Sequence, residues 1–255
     1  MSRKTRLDIA LVERGLEESR ERAKAMIMAG EVIVNSQIIL KSDFKVSTED
    51  NIELKEKFPY ASRGALKIKT AIEKFGIDVK GMKIIDIGIS NGGFSDYLLQ
   101  NGADKIIGID VNINQVNEKL RNSEKIKLIK TNARYLKRKD IELEPDLIVM
   151  DLSFISILKI LPNLKNFKKP YILSLIKPQF ESTKKEITRG GVIRDKNKIL
   201  KILLRLKKNI EELGFGIIDF CKSDTKGKKG NQEYFFLMKY GNKTLINDKI
   251  IENGL

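Results

Sequence analysis

The stretch Asp86–Ala103, DIGISNGGFSDYLLQNGA, decides how this chain is read. A carboxylate and a glycine-rich turn stand between the apolar run MKIIDIG and a segment of helical character. In open parallel sheets, ligands sit at the carboxyl ends of the strands, near the point where strand order reverses. A loop of this composition belongs at such a point. The phosphate-binding loop G-x-x-x-x-G-K-[ST] needs a lysine. Gly88 and Gly93 have its spacing and Ser95 is present, but Phe94 stands where the ammonium group should be. Nucleoside triphosphate binding is therefore disfavoured. The dinucleotide fingerprint G-x-G-x-x-G also matches imperfectly, because Ser90 holds its second glycine position.

A third template fits better. S-adenosylmethionine carries no phosphate. It needs a tight turn for backbone approach and an acid near the next strand end for its ribose hydroxyls. Gly88, Gly92 and Gly93 supply the turn, and Asp110, which ends KIIGID, lies at the distance ribose recognition requires. Asp86 is suited to orient the loop or to hold the cofactor's ammonium group through water. The competing account is a plain strand–helix turn that uses glycine for backbone reasons. Asp110 tips the choice toward a cofactor.

Working outward, short apolar strands alternate with helices from Ala65 onward: MKIIDIG, KIIGID, IKLIKT, PDLIVMDLS and PYILSLIKP. Helices are expected around Ala65–Phe75, Gln115–Leu120 and Ile155–Leu161. This pattern predicts an α/β fold, a mostly parallel sheet with helices on both faces. GFGIIDFCKS and EYFFLMKY predict a final hairpin with an antiparallel C-terminal strand. Before this region, TRLDIALVERG and SRERAKAMIMAG read as two short helices stopped by Gly15 and Gly30, the second opening at Ser19. EVIVN and IIL read as strands around a turn at Ser36–Gln37, and VSTEDNIEL supplies another. The expected organisation is a small α+β domain over 1–56, a linker over 57–63, an α/β domain over 64–241 and a loose tail over 242–255.

Composition narrows the chemistry. The chain of 255 residues has no histidine and one cysteine, Cys221. Histidine-based catalysis, histidine–metal sites and closed thiolate zinc sites are excluded, so no metal is expected. Acid–base work falls to Lys, Asp, Glu or Tyr. A single cysteine, the absence of a long apolar run and a charged N-terminal segment point to a cytoplasmic protein with no membrane association. Nothing calls for a dimer, and a monomer is expected. The formal charge of +15 suggests a polyanionic partner. Residues 1–60 hold eleven basic and eleven acidic residues, so the excess lies entirely downstream. A lysine-rich solvated surface is the bland competitor.

Four charged residues need a reason. Lys67 lies in SRGALK, Asp151 ends LIVMD, Lys177 ends ILSLIK, and Glu233 precedes YFFLM. Isolated charges beside buried strands are costly unless paired or functional. Lys67 or Glu233 alone reads as a surface charge, and Asp151 alone as a helix cap. Lys177 directly abuts a strand that should be buried. Together, two amines and two carboxylates permit a reaction. A partly desolvated lysine beside another cation gives up its proton more easily, and such an amine can accept one from a sugar hydroxyl attacking a methyl sulfonium.

The chain resembles the TlyA family of ribosomal RNA 2′-O-methyltransferases, historically also called hemolysins. The likeness runs from about Arg6 to Tyr240. It rests on RLDIALVERGLEESRERAKAMIMAGEVIVN, SRGALK, DIGISNGGFSDYLLQNGA, MDLSFIS, IKPQFE, GGVIRD and GNQEYFFL, in that order. The resemblance implies an N-terminal RNA-binding domain of the ribosomal-protein-S-four type. It also implies an FtsJ-like, Rossmann-like class I methyltransferase domain. Its Lys–Asp–Lys–Glu tetrad maps to Lys67, Asp151, Lys177 and Glu233, with Lys177 steering and deprotonating the 2′-hydroxyl of a cytidine. The expected S-adenosylmethionine site comprises Asp86, Gly88, Ser90, Gly92, Gly93, Phe94, Asp110, Asn132 and Asp151. Asn91 replaces a common threonine, Asn112 departs from the usual ribose-side loop, and a histidine often found after the GGVIRD region is missing.

For RNA, Arg20 and Lys24 share a helix face, and Arg3, Lys4 and Arg6 precede the first helix. These are expected to grip phosphates of ribosomal RNA while the acids face away. Lys226, Lys228 and Lys229 precede Glu233 and are expected to meet RNA backbone near the site. The alternative readings are a membrane-acting hemolysin, for which no amphipathic insertion segment or export signal is found, and a non-catalytic RNA-binding assembly factor.

Overall fold

The computed structural model describes residues 4–55, 58–183, 186–187 and 190–255. Two compact units divide the chain, residues 1–59 and 60–255.

In the first unit, β1 (Thr5–Arg6) leads into α1 (Leu7–Glu13) and α2 (Arg20–Met28). Then come β2 (Val32–Val34), β3 (Gln37–Ile38), β4 (Lys45–Val46) and β5 (Ile52–Leu54). Strands β3, β2 and β5 form an antiparallel sheet, while β1 pairs with β4. Ser19 caps α2 by accepting from the Arg22 amide, and Gly15 and Gly30 take positive φ just past the two helices. The hairpin turn falls at Asn35–Ser36, one residue earlier than the sequence suggested. Both residues adopt positive φ, and Val34 pairs with Gln37. A two-residue loop with positive φ at both positions matches the right-handed twist of its strands. Leu7, Leu11, Ala23, Ile27, Val32, Val34 and Val46 make the core.

The second unit holds a seven-stranded sheet in the order β11-β12-β10-β9-β6-β7-β8. Its parallel strands are β6 (Lys83–Ile87), β7 (Lys105–Asp110), β8 (Ile126–Lys130), β9 (Leu147–Met150) and β10 (Tyr171–Ile176). The antiparallel pairings expected at the C-terminal end belong to β12 (Tyr234–Tyr240), which lies between β10 and β11 (Phe215–Lys222). Strand parity explains why both faces are covered. Ile85, Ile87, Ile148 and Met150 face one core cluster, and Ile84, Leu147 and Val149 face the other. Helices α3 (Gly64–Phe75) and α4 (Gly93–Gln100) fill the second face. The long α8 (Lys196–Glu212) buries Ile199, Ile202, Leu203, Leu206 and Ile210 on the first, after capping by Asp195.

Three expectations change. The helix expected around Gln115–Leu120 is a 3-10 turn at Ile113–Gln115 followed by α5 (Glu118–Arg121), because Val116 is extended and Asn117 restarts the turn as a cap. The helix expected near Ile155–Leu161 likewise breaks into a 3-10 turn at Ile157–Lys159 and α6 (Leu161–Leu164), which has Pro162 in its first turn. The tail is not loose. Leu245 donates to the Ile217 carbonyl, and α9 (Asp248–Asn253) is capped by Asn247. Ile246 and Ile251 are buried against the core that includes α8 and β11. Two apolar residues five apart leave no visible period in sequence.

Part of the expected linker also belongs to the second unit. The Ala61 amide donates to Asp96 Oδ2 at 2.7 Å, and the Tyr60 ring packs on Tyr97.

Candidate active site

The chain runs from β6 to β7 and β8 on one side, then returns to β9 and β10 on the other. The crevice where strand order reverses lies between β6 and β9, at their carboxyl ends. The loops after these strands carry most of the predicted residues.

After β6 the backbone turns through positive φ at Gly88, Ser90 and Gly92 before α4 begins. Gly88 packs so closely on the next loop that a Cβ there would lie 2.6 Å from the Asp151 carbonyl oxygen. A Cβ on Gly93 would strike the Ser62 hydroxyl, so that glycine serves packing against the start of α3. Asp110 accepts from the Ser90 amide and the Asn112 amide, both at 3.0 Å, one on each carboxylate oxygen. It thus ties the glycine loop to the loop after β7.

Asp86 shares parity with Ile84 and faces α4. It is fully buried, and its Oδ2 accepts from the Ser95 hydroxyl at 2.7 Å. Among the described residues, no aligned hydrogen bond reaches its Oδ1. Burial, opposed by the Ser95 hydrogen bond and reinforced by the nearby charge of Asp151, pushes its pKa up to about 7. A buried acceptor beside a glycine turn suits a ligand ammonium group, so the loop fits the methionine end of S-adenosylmethionine.

Two predicted cofactor residues have side chains engaged within the protein. Phe94 is buried in the core, its ring 6.2 Å from that of Phe235, because the first turn of α4 points it inward. Asn132 is exposed after β8, where its side chain caps a 3-10 turn by accepting from the Arg134 amide.

The four charged residues come together as two ion pairs. Lys177 Nζ lies 2.6 Å from Asp151 Oδ1, and Lys67 Nζ lies 2.7 Å from Glu233 Oε2. Ile176 pairs with Tyr234 across β10 and β12, so the next residues outward, Lys177 and Glu233, are neighbours at the sheet's end. Lys67 reaches Glu233 from α3. Lys177 and Glu233 are buried. At 2.6 and 2.7 Å both carboxylate oxygens are held closely by their lysine ammonium groups.

Sequence reasoning missed several neighbours. The Ser153 hydroxyl is 3.1 Å from Lys177 Nζ. Phe154 adopts φ +63° and is 90% exposed, with its ring 5.1 Å from that of Phe180. A Cβ on Gly227 would lie 2.5 Å from Glu233 Oε1, so the β11–β12 loop closes directly on that carboxylate. Ser153 and Phe154 were within the quoted MDLSFIS motif, but nothing in sequence marks a phenylalanine held at positive φ.

The predicted RNA contacts divide. Lys4 is exposed, and Arg3 lies outside the described residues. Arg6 and Arg20 are not simply solvent-facing, because both donate to Asp8 at 2.9 Å. The acids were expected to face away from this surface, but Asp8 is fully buried beneath the two guanidinium groups. Burial acts to raise its pKa, but the hydrogen bonds from Arg6 and Arg20 outweigh it and hold the value at about 2. Lys24 is half-buried on α2. Lys226, Lys228 and Lys229 are exposed on the loop that precedes Glu233.

Known proteins agree with this geometry. The FtsJ-like methyltransferase model matches residues 60–240, and the S4 domain model matches residues 5–52. A Mycobacterium tuberculosis protein named 16S/23S rRNA (cytidine-2′-O)-methyltransferase TlyA is 35% identical over 260 aligned residues, covering 100% of this chain and 97% of that one. The chain belongs to the TlyA family of FtsJ-like methyltransferases. A protein named Hemolysin A from Brachyspira hyodysenteriae is 40% identical over 90% of this chain and 97% of its own length. A solved structure from Streptococcus thermophilus that bears the name hemolysin aligns with a TM-score of 0.74 and 32% identity, covering 100% of this chain and 96% of that chain. Among the described residues of this TlyA-family chain, no helix is long and apolar enough to cross a membrane.

Proposed function

We propose that this TlyA-family chain is an S-adenosylmethionine-dependent 2′-O-methyltransferase acting on cytidine ribose in ribosomal RNA. The observation that carries the reading is the buried Lys177 amine, fixed beside Asp151 at the mouth of a glycine-turn crevice. S-adenosylmethionine supplies an electrophilic methyl group when bound. Asp86, Gly88, Ser90, Gly92 and Asp110 are the residues suited to hold it. Asp151 lies where that crevice meets the lysine pair.

Lys177 Nζ steers the 2′-hydroxyl and, acting as the neutral amine, takes its proton as the oxygen attacks, so that the ammonium paired with Asp151 is the form left after transfer. The positive charge that develops on Nζ is stabilised by Asp151 Oδ1 and by the Ser153 hydroxyl oxygen. Lys67 offsets the charge of Glu233, so the second pair orders the rim without competing for Lys177. Alignment of nucleophile and methyl group supplies much of the remaining acceleration. Phe154 offers an exposed aromatic face beside this centre, suited to stacking on an unpaired base.

The S4-type unit grips RNA through Lys4, Lys24, Arg6 Nη1 and the outer nitrogens of Arg20, and Lys226, Lys228 and Lys229 add backbone contacts near the site. A protein acting on ribosomal RNA works in the cytoplasm. The test is transfer of a labelled methyl group to purified ribosomal subunits, followed by mapping of 2′-O-methylated cytidines. Robust cofactor binding with no transfer to any ribosomal RNA would favour the assembly-factor reading instead.

A further inference from the structure

Two loops meet at the catalytic lysine in a regular series of contacts. One follows β9 and runs from Asp151 to Ile157. The other begins at Lys177 and continues through α7 (Pro178–Glu181). Asp151 and Ser153 both meet Lys177, and Phe154 meets Phe180. Glu181 completes the series. Its Oε2 accepts from the Ser156 hydroxyl at 2.5 Å, and its Oε1 accepts from the Ile157 amide at 3.0 Å.

We propose that Glu181 is a positioning residue for methyl transfer, latching the 151–157 loop so that Ser153 and Phe154 stay presented beside Lys177. The role of that loop rests on the proposed function; the latch itself does not.

The 151–157 loop is strained at its centre. Phe154 holds φ +63°, a left-handed conformation that is strained for a residue bearing a Cβ. Such a conformation persists only when its surroundings over-determine it. At 90% exposure, the Phe154 side chain has little packing of its own beyond Phe180. The loop must therefore be fixed at its ends. The first end is held by the Asp151 amide, which donates to the Ile87 carbonyl, and by the ion pair with Lys177. The second end is held by Glu181, through one side chain and one backbone amide. Releasing that end lets Phe154 relax to negative φ and carries the Ser153 hydroxyl away from Nζ.

No basic side chain among the described residues pairs with the Glu181 carboxylate. Arg205 donates to the Glu181 carbonyl oxygen and pairs with Glu186 instead. Burial, opposed by the two hydrogen bonds, raises the pKa of the carboxyl. Glutamine is therefore a close mimic: its oxygen accepts from the Ile157 amide, and its nitrogen donates to Ser156.

The test compares Glu181→Ala, Glu181→Gln and Glu181→Ala/Phe154→Ala with wild type and Phe154→Ala. It reads kcat and KM for ribosomal subunits, cofactor affinity by calorimetry, and hydrogen exchange at the Ile157 amide. Glu181→Ala should lower kcat/KM by about 100-fold, the scale of an ångström-sized misplacement. Its calorimetric S-adenosylmethionine affinity should stay at the wild-type value, and the Ile157 amide should lose protection. Glu181→Gln should restore both activity and protection. In the Phe154→Ala background, Glu181→Ala should add less than it does alone, because the two share one loop. Unchanged exchange at Ile157 in Glu181→Ala overturns the latch, even if no RNA substrate is methylated. Strict additivity, or a glutamine variant as impaired as alanine, overturns the positioning role. A wild-type enzyme inert on every ribosomal RNA while the exchange result holds would reject the proposed reaction and leave the latch standing.

Discussion

Asp8 and Asp86 are both fully buried, one in each unit, and their surroundings have opposite effects. Asp8 sits under two guanidinium groups that bond both of its oxygens, and its pKa is held at about 2. Asp86 has one hydroxyl donor, an oxygen that no aligned hydrogen bond reaches among the described residues, and a nearby acid, and its pKa rises to about 7. The first aspartate is a finished structural joint. The second is a buried carboxyl that holds its proton more tightly and has one oxygen left for a ligand. Burial alone therefore does not set a carboxylate's work; the number and charge of its donors do.

The largest effect that sharpens this contrast is at Lys177. Lys177→Ala should reduce methyl transfer by about 10²–10⁴-fold, the usual contribution of a positioned proton acceptor. Cofactor binding measured by calorimetry should persist. Near-normal turnover would place the lysine pairs with Asp8, as structural joints.

Asp8→Ala should act the other way, costing about 2 kcal/mol of stability, from the size of its pKa shift, while leaving the chemistry of bound substrate intact. Urea unfolding checks it. Because the folded pKa lies below the ordinary 3.8, the Asp8 contribution is present above about pH 4 and is lost as pH falls through about 2. Asp86 has the opposite sign. Its folded form keeps a proton that the unfolded chain releases, so its contribution weakens as pH rises from about 4 toward 7. Asp86→Asn should flatten that slope in thermal melts across this range and weaken cofactor binding by about tenfold, the order of one hydrogen bond to a charged group. An unchanged slope would show that the buried Asp86 carboxyl does not hold its proton more tightly.

The smallest effect is expected at Phe154. Phe154→Ala should raise KM for RNA by about five- to tenfold, the low end of base–aromatic stacking. Cofactor affinity should stay constant. An equal loss of cofactor affinity would assign the ring to the crevice rather than to RNA.

Much of the fold was legible because its signals are local. Apolar strands covered on both faces announce themselves as continuous runs, and three of the four tetrad residues stand out as charges at strand ends, whereas Lys67 lies inside α3 and was marked only by its place in SRGALK. The failures concern side-chain direction and distant partners. Phe94 looked like a cofactor residue because it follows two glycines, yet the first turn of α4 turns it into the core. Arg6 and Arg20 were read as phosphate contacts, and their shared partner gave no sign because Asp8 is twelve residues from Arg20 and lies across a helix junction. Glu181 gave no signal beyond its place in IKPQFE, since its partners arrive from a loop more than twenty residues earlier.

The position of β12 has a consequence for synthesis. It is the last of the seven sheet strands to leave the ribosome, yet it lies between β10 and β11. A nascent chain can assemble the cofactor crevice early but must leave a gap open inside the sheet. Until residue 233 has emerged, Lys67 has no carboxylate to meet, and β10 presents an unprotected edge. Competence for catalysis and protection from aggregation therefore arrive in one late insertion, and a prematurely terminated product would lack both.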